Sequence, residues 1–488
     1  MTMKMKKTAW IMAAAIALAG CKKYLAEEPN KQVSIKTVSQ LEALVDNAPL
    51  FAYETNQTAS FSTDDYEISR DLYRLNPGAF SFNSLQYYIN SVDGVASLAS
   101  DDLWNGEYKK IFTANLVLDN IDKVTGDDAT RARVKADAHF IRAMSYWTLA
   151  NYYCAPYAEA NLQSLGLPLK KTIEYTESLQ RATLKETYDF ILADIAEAEN
   201  VAYDEVDPRR AWRVSKKAIA AFRSRYFLFT GDYPKAVQQA DLALQSSVVQ
   251  LVDFKTIKPG VSRNYSNPAA TLQYSELFTW SAQNFLYWKE MYYSRYTYNR
   301  SWYAPSASLI NSYDAANDLR YKLLFIPNGG REFSIVTPAT TRYTFFNTGY
   351  YAPAGFTRAE VLLNKAEALA RQGNAGGAMD AVNILRASRL VNYTPLTANG
   401  KDDAIKQVLA ERRRELPFTM RWYDIRRFSV NEYTGDEISV VRDFYNMTAT
   451  GIDVNTPKTY TLDAKRMLVP INTVEINSSN GQILQNPY

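Results

Sequence analysis

Two stretches of this chain, far apart in sequence, share one spacing, and that spacing constrains the fold more than any other feature. Ser215 to Gln245 holds Ala221, Phe222 and Phe227, then Gly231-Asp232-Tyr233, then Ala236, Ala240 and Ala243. Thr357 to Arg389 holds Ala366 and Leu369, then Gly373-Asn374, then Ala378, Val382 and Leu385. In both, the glycine precedes an alanine by five residues and follows a small residue, Ser224 or Ala366, by seven. Glycine takes the left-handed backbone that lets one helix end and the next begin. Small residues let the two helices approach closely. The expectation is a pair of helix-turn-helix hairpins that support one body, without forming a continuous solenoid.

This is tetratricopeptide grammar, and the flanking sequence extends it. Tyr108, Ile111, Phe112, Asn115, Leu118 and Ile121 are spaced three and four apart from about residue 105, which places them on one helix face. A second helix carries Ala138, Ile141, Arg142, Ser145, Tyr146, Leu149 and Tyr153; a third runs from Leu184 to Glu199 with Thr183 as its N-cap. Helical hairpins are therefore expected over about 105–250 and 357–430. Between them, from 251 to 356, the periodicity gives way to Pro, Gly, Asn, Ser and aromatics, an inserted loop-rich region. The end of the chain, from Glu432, has short β-like runs at Lys458 to Leu462 and Arg466 to Ile471. The fold class expected is mostly α with small β elements and long loops, and 21–488 is read as a single domain because no Gly/Ser-rich or Pro-rich linker divides it.

The first twenty residues read as a signal peptide. Lys4, Lys6 and Lys7 precede an apolar run from Ala9 to Ala19, too short to span a bilayer. Leu18-Ala19-Gly20-Cys21 follows, small residues ahead of a cysteine, so Cys21 is the expected lipidation site and acyl chains the membrane attachment. The formal charge of +3 over 488 residues falls close to zero once three signal lysines go, which argues against nucleic acid. With Cys21 acylated, Cys154 has no disulfide partner and reads as a buried small hydrophobe. The single histidine, His139, lies in a helix, so the sequence offers no His/Cys cluster; no metal and no cofactor are expected.

Five segments, taken in order, resemble one family. Cys21-Lys22-Lys23-Tyr24-Leu25 with Glu28-Pro29 resembles its opening, and Leu103-Trp104 with Tyr108, Ile111 and Ala114-Asn115 its first core helix. Thr357 to Arg389 resembles the helix-turn-helix before its most recognisable stretch, which here reads ERRRELPFTMRWYDIRR from Glu411 to Arg427. Leu468-Val469-Pro470-Ile471 through Gln485-Asn486-Pro487-Tyr488 resembles its close. The chain is on this ground identified as a member of the SusD/RagB family. That resemblance implies a SusD-like, lipid-anchored outer-membrane surface protein that binds nutrient without catalysis and serves as lid to a SusC-type TonB-dependent transporter. Residues Lys31 through Leu44 resemble a subgroup for which starch is not presumed. An oligosaccharide is the expected ligand; an oligopeptide in the same role, or a surface glycoside hydrolase, are the alternatives.

Candidate site residues follow from chemistry and from the family's binding regions. Trp280 to Tyr303 holds ten aromatics in 24 residues, in a chain with 35 tyrosines. Aromatic faces pack on the C–H faces of sugars, and tyrosine hydroxyls bond sugar hydroxyls. Trp288, Tyr292 and Tyr296 are named from this stretch, although a spacing of four also suits one buried helix face. Asp65, Tyr66, Tyr73, Arg74, Tyr87 and Tyr88 are named from the segment before the first core helix, where the resemblance places ligand contacts. Paired acids do not by adjacency make a glycosidase centre. Asp101 reads as a helix cap and Asp127-Asp128 as a turn, while Asp64-Asp65 are unexplained by local chemistry. The arginines from Arg412 to Arg427 read as a packed helix end with internal ion pairs, Glu411 facing Arg414, and not as a nucleic-acid patch.

Overall fold

A computed structural model of the chain describes residues 35–54, 58–256, 289–298, 304–327, 342–344, 351–448, 450–462 and 467–488. The main helices are α1 (Val38–Val45), α2 (Asp102–Asn120), α3 (Asp128–Tyr153), α4 (Leu184–Ala198), α5 (Lys216–Phe229), α6 (Tyr233–Leu244), α7 (Arg358–Arg371), α8 (Ala375–Ala387), α9 (Lys401–Glu415) and α10 (Arg421–Phe428). Most begin on a side-chain oxygen that takes an otherwise unpaired N–H of the first turn. Asp101 accepts from Leu103 N and Trp104 N at 3.1 Å each, and Asp127 accepts from Thr130 N at 2.7 Å. Thr183 and Glu186 form a reciprocal capping box at the start of α4. The Asp101 and Thr183 caps match the sequence expectation, while Asp127, read from the sequence as a turn residue, caps α3.

The hairpin grammar matches as well. Gly231 and Gly373 turn α5 into α6 and α7 into α8 at φ of 82° and 86°. The two hairpins, separated by the insertion in sequence, are neighbours in space: α6 and α5 both pack on α7. Ser224 and Ala366 are fully buried, and Asn364 on α7 donates to Ser224 Oγ at 3.1 Å, across the seam where small side chains were expected. Arg225 on α5 meets Glu360 on α7 at 2.6 Å in the same interior.

Helix α3 is the centre of the body. It is buried over nearly all of its C-terminal half, and Trp147 packs its ring against Tyr188 of α4 at 5.9 Å and Phe222 of α5 at 5.6 Å. Truncating such a ring costs about 3–5 kcal/mol. Helix α1 covers the other side through Val38, Leu41 and Val45, packed with Val117, Ile121 and Ile141. His139 bonds Asp194 at 2.7 Å beside Arg142, a helix residue satisfied between α3 and α4. Cys154 is buried, and burial pushes its thiol up.

Small antiparallel ladders complete the fold. Leu165–Pro168 pairs with Arg181–Thr183, and Val440–Met447 with Ile452–Leu462, which contains the β-like run from Lys458. Residues 467–472 form no strand; Val469 N bonds Tyr152 O at 2.9 Å and ties the C-terminal segment to α3. Within the insertion, the chain at residues 250–252 meets the chain at 289–290. Gln250 N bonds Lys289 O at 2.9 Å, Val252 N bonds Glu290 Oε1 at 2.7 Å, and Arg389 joins Val252 O to Glu290. From there Met291–Tyr293 pairs with Phe356–Thr357, and Tyr296–Tyr298 with Tyr351–Pro353.

Candidate ligand-binding surface

The segment 58–90 crosses the ends of α9 and α10, and its two unexplained acids are what fasten it. Arg421 grips Asp64 with two bonds at 2.7 and 2.8 Å. Arg413 bonds Asp65 at 2.8 Å, and Phe418 N donates to the other Asp65 oxygen at 2.9 Å. Burial raises the Asp64 carboxyl, but the bonds and charge of Arg421 and Arg413 outweigh it and hold the group below its ordinary value. The other arginines of the stretch are likewise engaged: Arg412 with Asp424, Arg414 with Glu411, Arg427 with Glu367 and Asp424, and Arg426 with the carbonyls of Met467 and Cys154. Buried pairs of this kind fix register more surely than they add stability.

Most of the ring residues named from the sequence face inward. Tyr66 packs on Phe61 and Phe418 at 5.0 and 4.5 Å. Tyr88 takes Ile68 N on its hydroxyl at 2.9 Å and lies under the Arg442 guanidinium at 4.4 Å. That guanidinium in turn donates to the carbonyls of Phe61, Thr63 and Tyr66. Tyr73 packs on Phe444 at 5.2 Å. Tyr292 donates to Ala243 O at 2.9 Å, and Tyr296 meets the edge of Tyr53 at 4.3 Å. Asp65, Tyr66, Tyr73, Tyr88, Tyr292 and Tyr296 are thus buried residues that hold the fold together, not the surface residues that the sequence suggested. Tyr292 and Tyr296 lie on strands, not on the helix that their spacing also allowed. Arg74 remains at the surface, paired with Asp71 at 3.1 Å, and Tyr87 is partly buried. Trp288 and Cys21 lie outside the described residues.

The structure opens a groove of about 360 Å³ along α2 that the sequence did not single out. Tyr108, Phe112 and Asn105 line it from the helix, residues Pro168 to Leu179 form the facing wall, and Glu475 and Ile483 close the end. The wall is fixed to the helix by side chains: Tyr108 donates to Pro168 O at 2.9 Å, and Asn115 donates to the carbonyls of Lys170 and Thr172 at 3.0 and 3.1 Å. Phe112, placed by its spacing on one helix face with Ile111 and Leu118, is 46 % exposed at the groove's edge, and Tyr175 stands at 97 % exposure on the wall. A fixed groove with displayed rings and a few polar groups is what holds a sugar ring or an amphipathic side chain. Among the described residues no group of three His, Cys, Asp or Glu side chains could hold a metal ion, and no helix is long and apolar enough to cross a membrane.

Two family models match the chain, one described as starch-binding associating with outer membrane over residues 23–228, the other as the SusD family over residues 356–488. The chain belongs to the SusD/RagB family. SusD-like protein P2 of Formosa agariphila is 26% identical to it over 391 residues, covering 68% of this chain and 72% of P2. SusD-like protein P25 of the same organism is 26% identical over 176 residues, about a third of either chain. Among solved structures, a SusD superfamily protein of Bacteroides thetaiotaomicron superposes with a TM-score of 0.66 at 18% identity, over 93% of this chain and 100% of that one. A laminarin-binding SusD-like protein gives a TM-score of 0.59 at 18% identity, over 93% of this chain and all of the other. The mostly helical SusD-like fold, with its hairpins and small ladders, is therefore the one expected. The concavity that sequence reasoning missed is the groove. Its signal was Tyr175 in Lys171-Thr172-Ile173-Glu174-Tyr175, an aromatic in a polar loop with no periodic partner.

Proposed function

We propose that this protein is a lipid-anchored component of the outer-membrane surface that binds oligosaccharides and delivers them, as a lid, to a SusC-type TonB-dependent transporter. The observation that carries the glycan reading is the α2 groove, where Tyr108, Phe112 and Tyr175 bring rings to an open cleft. The match to the starch-binding family model and the laminarin-binding neighbour support the same ligand class. Moderate affinity suits such a role, since captured nutrient must also be released. Arg74 and Tyr87 are further candidate contacts on the face of residues 58–90.

Anchoring rests on the signal-like start and Cys21. Cys21→Ala should leave the protein folded and free of the membrane; retention of the variant in the membrane fraction would refute the lipid attachment. Ligand class is tested by calorimetric titration of the full chain with laminarihexaose, maltohexaose and mixed tripeptides. Saturable binding of a hexasaccharide, without release of new reducing ends, is the expected result. Binding of peptides alone would transfer the role to peptide uptake, and new reducing ends would make the protein a hydrolase.

A further inference from the structure

A second concavity, of about 510 Å³, opens where the α5–α6 turn meets the segments that follow α3 and α10. Its size is within the roughly 300–1,000 Å³ of small-molecule sites. Two rings stand in it: Tyr157, held against Tyr188 at 4.7 Å, and Tyr233, beneath the Arg371 guanidinium at 5.9 Å. Both tyrosines are partly exposed, and among the described residues neither hydroxyl has a hydrogen-bond partner. Glu159 and Glu432 are exposed on the lining, and their carboxylates make no ion pair among the described residues.

The charges of this pocket select the ligand. Arg371 and Arg427 belong to its lining, with side chains 4% and 9% exposed. Their hydrogen-bonding capacity is taken inward. Arg427 bonds Asp424 at 2.9 Å and Glu367 at 2.7 Å; Arg371 bonds Glu367 at 2.8 Å and Asp436 at 2.7 Å. An anion would therefore find guanidiniums already neutralised and two free carboxylates opposing it. What the lining does offer is two phenols and two carboxylates as acceptors and donors, with ring faces beside them. That set matches uncharged hydroxyl groups carried on a ring with C–H faces.

We infer that this pocket binds a neutral sugar ring, at a site separate from the α2 groove. The inference shares its ligand class with the proposed function but not its site. It is tested on the full chain by saturation-transfer NMR and calorimetry with laminarihexaose and maltohexaose as neutral probes, trigalacturonate as an acidic one and chitosan trimer as a cationic one. Tyr157→Ala, Glu432→Ala and Tyr175→Ala are compared with the unaltered protein, with thermal melts to check folding. The expected result is a neutral hexasaccharide bound about tenfold more weakly by Tyr157→Ala and several-fold more weakly by Glu432→Ala, with both losses persisting in a Tyr175→Ala background. If neutral sugar binds and only Tyr175→Ala weakens it, the second site is refuted while the groove reading stands. Binding confined to the charged trisaccharides also refutes it, and the absence of any saccharide binding refutes both readings.

Discussion

Replacing Asp65 by Asn tests whether segment 58–90 is fastened to α9–α10 by its two acids. Asp65 is fully buried, with one oxygen on Arg413 at 2.8 Å and the other on Phe418 N at 2.9 Å. Asparagine keeps the shape but has one oxygen and one N–H₂, so one of the two donors must face another donor. A buried donor left unsatisfied costs about 1–3 kcal/mol. Losing the charge pair adds to this, though less than the roughly 3–5 kcal/mol of an isolated buried pair, because Asp64 stays within 3.1 Å of Arg413. Phe418 has a backbone φ of 66°, a conformation worth about 1–2 kcal/mol of strain outside glycine, and the Asp65 bond helps hold it there. A total near 3 kcal/mol corresponds to roughly a hundredfold change in an opening equilibrium. Because the contact joins one segment to the body, the loss should be local. Amide hydrogen exchange read by mass spectrometry should quicken about a hundredfold in peptides of Ser69–Ile89, with little change in α7 and α8. A rise below fivefold in that segment, or an equal rise in α7 and α8, would show that the two acids do not fasten it.

Three further outcomes are expected. Gly231→Ala and Gly373→Ala should each destabilise by about 1–2 kcal/mol in urea titrations, and since no atom lies within 4 Å of an added Cβ at either position, Asn should be tolerated better than Ala. Burial raises Glu367 and Glu411, but the surrounding guanidiniums outweigh it and hold both below their ordinary 4.5; the unfolded chain then binds more protons, so stability is full above about pH 4.5 and should fall as pH drops below it, with a shallower fall in Glu411→Gln. Tyr175→Ala should leave the melting temperature unchanged, given the ring's exposure, and weaken hexasaccharide binding several-fold in calorimetry.

What the sequence revealed was what neighbours in the chain decide. Asp101 and Thr183 were readable as caps because their partners lie two or three residues on. Gly231 and Gly373 were readable because only the backbone at those positions matters. Asp64 and Asp65 were opaque because Arg421 and Arg413 are about 350 residues away. Tyr292 and Tyr296 mislead for a related reason: a spacing of four suits a helix face, but Met291–Tyr293 and Tyr296–Tyr298 are drawn into strands by Phe356–Thr357 and Tyr351–Pro353, and both rings still end up inside. The candidate site suffered most. Tyr66, Tyr73 and Tyr88 have the composition of a binding surface, and only the position of Arg442, Phe418 and Phe444 shows them to be interior.

The contact where Gln250 meets Lys289 and Glu290 clasps Val252 and Arg389 closes off the stretch between them and separates the scaffold's evolution from that of this stretch. With its two ends already clamped together, a replacement of twice the length would add only about 0.6 kcal/mol of closure entropy. Segments of unrelated sequence could be grafted there while the paired hairpins beneath go on folding as before, so the frame need not be rebuilt when the graft changes.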